Sequence, residues 1–226
     1  MKLLLIPGSG ASRQNWLLQT QYFHDSEGIA LPGHPDGQPY DSIPQYVEWL
    51  KDYIHQKGYK DIVLGGHSLG GGIALLYGLK YSSELKGLIL IGTGARLRVH
   101  PDTIASVKGM IGNDAAWQTF VENTPLPNPL LKPARDMKLR IGPAVLLKDF
   151  LACDQFDVMD QLPNIKMPTL IIVGSEDVMT PVKYSQYLAN KIRGSKLVII
   201  QGASHSVAQE KPSEVNQAIE EWMSGL

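Results

Sequence analysis

The sequence predicts an α/β fold, a doubly wound parallel sheet with helices on both faces. Two observations predict it. Six short runs rich in Leu, Ile and Val recur along the chain, each closed by glycine or a turn, and helical patterns lie between most of them. Most of the runs are continuously apolar rather than alternating, which is how strands covered on both faces of a parallel sheet read.

In order, the strand runs are Lys2–Ile6, Gly28–Leu31, Asp61–Leu64, Leu88–Ile91, Thr169–Val173 and Lys196–Ile200. Between the second and third, Ile43, Tyr46, Val47, Leu50 and Ile54 fall on one face of a helix over Ser42–Lys57. Ser42 with Gln45 three residues on forms a capping box, and Gly58 is the expected stop. Further helices are expected over Leu69–Tyr81, Val182–Ile192 and Ser213–Met223. The alternation breaks between Ala95 and Leu162. That interval carries helical patterns at Asp102–Met110, Ala115–Glu122 and Ala144–Cys153, with a cluster of Pro125, Pro127, Pro129 and Pro133 that reads as irregular. The expected division is a core of residues 1–94 and 163–226, with a helical lid of residues 95–162 inserted over one edge of the sheet.

Composition narrows the function. The 226 residues suffice for one sizeable domain. A net charge of −1, from 21 basic and 22 acidic residues, gives no electrostatic footprint for nucleic acid, and no polybasic run suggests a membrane surface. Cys153 is the one cysteine, so no intramolecular disulfide can form. The apolar start at Leu3–Ile6 is too short for a signal segment, and no stretch approaches a membrane span. A soluble cytoplasmic protein is expected.

An alcohol becomes a useful nucleophile near neutral pH only with a base in reach, a group to orient that base, and donors for the developing oxyanion. Gly66-His67-Ser68-Leu69-Gly70 fits G-x-S-x-G. With 15 serines in the chain, roughly 0.15 such matches arise by chance, so the bare pattern is weak. Its placement strengthens it, because it follows the run Asp61–Leu64 and opens the helix Leu69–Tyr81, the strand–turn–helix setting of a nucleophile elbow. Asp177 lies on the loop leaving Thr169–Val173, and His205 on the loop leaving Lys196–Ile200. Ser68, Asp177 and His205 therefore share the carboxyl rim of the sheet, in the chain order this architecture uses.

On these residues the chain resembles the α/β-hydrolase superfamily, in its esterase and lipase-like branch, over nearly its whole length. Ile29-Ala30-Leu31-Pro32-Gly33-His34-Pro35-Asp36-Gly37 is similar to the family's D-L-P-G-H-G segment. Pro168-Thr169-Leu170 through Gly174, Asp177 and Pro181 is similar to its P-T-L-x-x-x-G-x-x-D-x-x-x-P segment. The resemblance implies a triad of Ser68, Asp177 and His205, with Glu176 the less favoured acid. It implies an oxyanion hole from the Leu69 amide and from Ser9 in the loop Pro7-Gly8-Ser9-Gly10. Pro7 departs from the family, standing where a histidine usually precedes the glycine. The family also has two strands before the first one here, for which Met1 leaves no room. The sheet should therefore have six strands, all parallel, with Lys2–Ile6 interior.

Rival motifs are weaker. Gly8-Ser9-Gly10 does not continue as a dinucleotide fingerprint, since Arg13 occupies the sixth position and the second strand ends Leu31-Pro32 with no acid for a ribose hydroxyl. Gly71 stands where a P-loop needs lysine. No nucleotide or metal cofactor is expected. Of the other histidines, His34 reads as structural in its turn, His67 either touches the pocket or packs, and His24, His55 and His100 read as surface residues. Cys153 reads as a small core residue of the insertion, and Trp117 as packing or as a pocket wall.

The expected function is a cofactor-free serine hydrolase cleaving a carboxylic ester, or a related acyl bond, of a small and partly apolar molecule. The apolar lid residues Ile104, Val107, Met110, Ile111, Trp117, Phe120, Leu130 and Leu131 suggest a greasy pocket. Two alternatives stand beside it: a C–C hydrolase, hydroxynitrile lyase or perhydrolase using the same triad, and a ligand sensor on the same fold with little turnover.

Overall fold

The apolar runs become six parallel strands in the computed structural model, which describes residues 1–226. They are β1 (Lys2–Ile6), β2 (Ser26–Gly28), β3 (Ile62–His67), β4 (Leu85–Ile91), β5 (Thr169–Gly174) and β6 (Lys196–Ile200). The order across the sheet is β2-β1-β3-β4-β5-β6, so β1 is interior as expected. The helices are α1 (Leu17–Thr20), α2 (Ile43–Lys57), α3 (Leu69–Lys80), α4 (Pro101–Gly109), α5 (Asp114–Glu122), α6 (Lys132–Asp154), α7 (Val182–Lys191), α8 (Val207–Glu210) and α9 (Pro212–Met223).

Strand side chains point alternately to the two faces of a sheet, and the continuous apolar runs feed both. Leu4, Ile6, Leu64, Leu88, Leu90 and Ile171 pack with α2, α3 and α7 on one side. Leu3, Leu5, Val63, Ile89, Ile91, Leu170 and Ile172 pack with Trp16, α8 and α9 on the other. This is the six-stranded, doubly covered α/β-hydrolase fold. No helix is long and apolar enough to cross a membrane.

Local departures from the sequence reading have physical causes. The second strand is Ser26–Gly28 rather than Gly28–Leu31. It is an edge strand, paired only to β1, and its polar residues hid it. Ile29 and Leu31 are buried because they join the core cluster that also holds the apolar faces of α2 and α3. Gly58 does stop α2, with φ of 64°. The capping box does not close, because the Gln45 side chain accepts from the Asp41 N–H at 3.1 Å and from the Ser42 hydroxyl at 3.0 Å. The longest correction is α6, of which only the second half was expected. Its first half is charged and lacks an apolar stripe, and Pro133 fits in its first turn, where a missing N–H costs nothing. Gly142, with φ of 82° and ψ of 166°, breaks the helix ahead of Pro143.

Candidate active site

The chain order reverses beside β1, which sends the chain to β2 on one side and is flanked by β3 on the other. Ligands of open α/β sheets bind beyond the carboxyl ends of strands at such a point. Ile6 is in register with Gly66, so the segments leaving β1 and β3 run side by side, Pro7-Gly8-Ser9 against His67-Ser68-Leu69.

Ser68 joins β3 to α3 with φ of 53° and ψ of −117°. That conformation costs a non-glycine residue about 1–3 kcal/mol and persists only where its surroundings enforce it. Here the Ser68 N–H donates to the Ile91 carbonyl at 3.0 Å, and the Ser68 carbonyl accepts from the Thr93 hydroxyl at 2.8 Å. The flanking glycines are required by contact: a Cβ on Gly66 would lie 2.0 Å from the Gly70 carbonyl oxygen, and one on Gly70 would lie 2.3 Å from that of Ile6.

Asp177 and His205 meet beyond β5 and β6. His205 Nδ1 lies 2.9 Å from Asp177 Oδ2 and 3.2 Å from Thr180 Oγ1. Asp177 is buried, and it also accepts from the N–H groups of Met179 at 2.9 Å and Thr180 at 2.8 Å and from the Thr180 hydroxyl at 2.8 Å. Burial alone would raise its pKa, but the His205 and Thr180 donors outweigh that and hold it below the usual carboxylate value. An ionised carboxylate only accepts, so Nδ1 donates to Asp177. Glu176 is exposed. Ser68 and His205 face one cavity, without a hydrogen bond between the Ser68 hydroxyl and the His205 ring. Thr180 gave no sequence signal, since its part depends on the turn after Asp177.

His67 touches the cavity and packs as well. Its ring lies 4.6 Å from the His205 ring, centre to centre, and its Nε2 donates to the His205 carbonyl at 2.8 Å. Burial, helped by the neighbouring His205, pushes its pKa down to about 3, so it is neutral.

The loop after β1 is held from a distance. The Gly10 N–H donates to Asp149 Oδ2 at 2.8 Å, and the Ser9 amide beside it has no protein acceptor. Leu69 opens α3, in the turn whose N–H groups have no carbonyl one turn back. Asp149 is fully buried on α6, and it also accepts from His34 Nε2 at 2.8 Å and from the Tyr46 hydroxyl at 3.3 Å. His34 Nδ1 lies 3.0 Å from the Pro32 carbonyl, which can only accept. Against an ionised Asp149 both ring nitrogens donate, and the two side chains form a buried ion pair. Burial opposes the charge on the ring, yet Asp149 and the loop carbonyls raise the His34 pKa overall. His34 is structural as expected, but its partner is an acid on another element as well as loop backbone. Sequence reasoning missed Asp149, and a lone acid followed by apolar residues in an amphipathic helix was the available signal. Cys153 is buried as expected, with its sulfur 3.8 Å from Ser9 Oγ.

The cavity over Ser68 has a volume of about 540 Å³. Of the apolar residues expected to form it, only Phe120 and Leu131 do so. Val107 and Trp117 pack with Val121 and Leu146, the Trp117 N–H donates to the Leu139 carbonyl at 3.2 Å, and Ile111 and Leu130 are exposed. The wall instead includes Arg135 and Lys138 from the unexpected half of α6.

A serine on a strained strand-to-helix elbow, at the carboxyl rim of a doubly wound parallel sheet, defines the class of α/β hydrolases. The chain belongs to the alpha/beta hydrolase family, whose sequence profile matches residues 3–218. It is 26% identical to a pimeloyl-[acyl-carrier protein] methyl ester esterase of Neisseria meningitidis, an alignment covering 91% of this chain and 71% of that one. A thermophilic esterase of known structure is 32% identical with a TM-score of 0.80, over 99% of this chain and 90% of its own. A thermophilic esterase from Thermogutta terrifontis is 26% identical with a TM-score of 0.82, over 100% of this chain and 90% of its own.

Proposed function

We propose that this chain is a serine esterase acting on small carboxylic esters through an acyl-enzyme intermediate. The observation that carries the reading is the 2.9 Å contact between His205 Nδ1 and Asp177 Oδ2, on the rim where Ser68 opens into the cavity. The similarity to esterases supports the same class of reaction.

In this reading Ser68 Oγ attacks the ester carbonyl carbon while His205 Nε2 takes its proton. Asp177 fixes the tautomer and stabilises the imidazolium that forms. The negative charge moves to the carbonyl oxygen, which accepts from the Leu69 and Ser9 amides. The C–O bond then breaks, the alcohol leaves with the proton from His205, and water repeats the sequence to release the acid. The inserted helices act as a lid that walls the substrate in.

The test is burst kinetics with p-nitrophenyl acetate and butyrate, with labelling by a fluorophosphonate. Both signals are expected to disappear in Ser68→Ala. Hydrolysis and labelling of that variant at wild-type levels would overturn the assignment.

A further inference from the structure

We propose that the cavity selects esters bearing a carboxylate at the far end of a short apolar chain, bound by Lys138 with Arg135 beside it. The inference rests on the esterase reading above, and it concerns what that site prefers.

Arg135 and Lys138 are three residues apart in the first half of α6, so they share a helix face, and both line the cavity that holds Ser68 and His205. Lys138 forms no ion pair. Its ammonium lies 5.0 Å from the centre of the Phe120 ring, in a cavity whose wall also includes Leu131 and Leu146. Burial lowers its pKa, and no carboxylate is near enough to raise it again. Arg135 donates once, to the Thr124 carbonyl at 2.6 Å, which leaves the rest of its fork unused.

The cavity wall offers these cations no free carboxylate. Glu210 is the single carboxylate lining it, and both its oxygens are taken by Ser204, through the N–H at 2.6 Å and through the hydroxyl. Elsewhere lysines stand beside acids at the surface, as Lys86 does with Asp61 and Lys148 with Asp41. A cation held in a mostly apolar cavity without a partner is costly, and a substrate anion removes that cost on binding. A neutral ester of the same length does not.

The experiment compares kcat/KM for monomethyl adipate and dimethyl adipate at pH 7.5, in wild type and in Lys138→Met, Lys138→Arg and Arg135→Gln. The wild-type ratio is read first and needs no variant. It should favour the monoanion by about tenfold or more, the scale of one charge-assisted hydrogen bond. Lys138→Met should lower the ratio about tenfold, Arg135→Gln by less, and Lys138→Arg should keep it within about threefold. A wild-type ratio near one, a ratio unmoved by Lys138→Met, or turnover of neither adipate ester while p-nitrophenyl butyrate is cleaved would each overturn the proposal. The esterase reading fails separately, through Ser68→Ala.

Discussion

Replacing Asp149 by Asn tests whether a buried ion pair sets the pose of the loop after β1. The change keeps the shape and removes the charge. Three donors converge on this carboxylate: the Gly10 N–H, His34 Nε2 and the Tyr46 hydroxyl. An amide offers one oxygen and turns an NH2 toward the other partners, so the His34 imidazolium loses its counter-ion. Breaking one side of a buried pair costs about 3–5 kcal/mol, and at roughly 2–4 °C per kcal/mol the Tm should fall on the order of 10 °C. Gly10 adjoins Ser9, so a loosened loop should also lower kcat/KM on p-nitrophenyl butyrate by about 10²-fold. The pH dependence carries a sign. The folded pKa of His34 is raised, so its contribution is fully present below the unfolded value of 6.5 and is lost as pH rises through the folded value. Urea unfolding between pH 6 and 9 should show that loss in wild type and not in Asp149→Asn. Unchanged stability would refute the ion pair, and unchanged kcat/KM with lowered stability would refute the link to the loop.

Asp177→Asn should lower kcat/KM by about 10⁴-fold, because the wrong His205 tautomer then prevails. The lowered pKa of Asp177 makes its stabilisation fully present above the unfolded value of 3.8 and lost as pH falls through the folded one. Acid titration followed by circular dichroism should show that component in wild type alone. Two glycines should respond differently to alanine. Gly66→Ala sets a methyl against backbone and should cost more than about 3 kcal/mol or abolish soluble expression. Gly58→Ala has nothing within 4 Å and only a positive φ to accommodate, so about 1 kcal/mol in urea unfolding is expected.

The fold was legible where burial is two-sided. The runs around β1, β3, β4 and β5 are apolar because both faces of the sheet are covered, and β6, at the other edge, kept an apolar run with only Ile200 buried; the ends of all five fell within a few residues of the expected positions. β2 was misplaced because an edge strand with Ser26 and Glu27 in it sends no such signal. The first half of α6 was invisible for a related reason, since its residues face a cavity and solvent and supply no apolar stripe. At the site, Ser68, Asp177 and His205 were legible because each follows a strand, and strand ends are what apolar runs reveal. Thr180 and Asp149 were not, because their contacts span a turn or more than a hundred residues.

The two halves of α6 divide the work of the helices between β4 and β5. After the kink at Gly142, Asp149 holds the Gly10 N–H, Cys153 lies against Ser9, and a Cβ on Gly10 would meet Leu146 at 2.9 Å. Before the kink, Arg135 and Lys138 face the cavity. Pro7 gives the loop no N–H of its own to anchor, so its position depends on this second half and on His34 beyond it. Changes at Asp149 and Cys153, which touch the loop and do not line the cavity, should therefore act on turnover of every ester alike. Changes at Arg135 and Lys138 should act on which ester is chosen, because both line the cavity and neither bonds the loop.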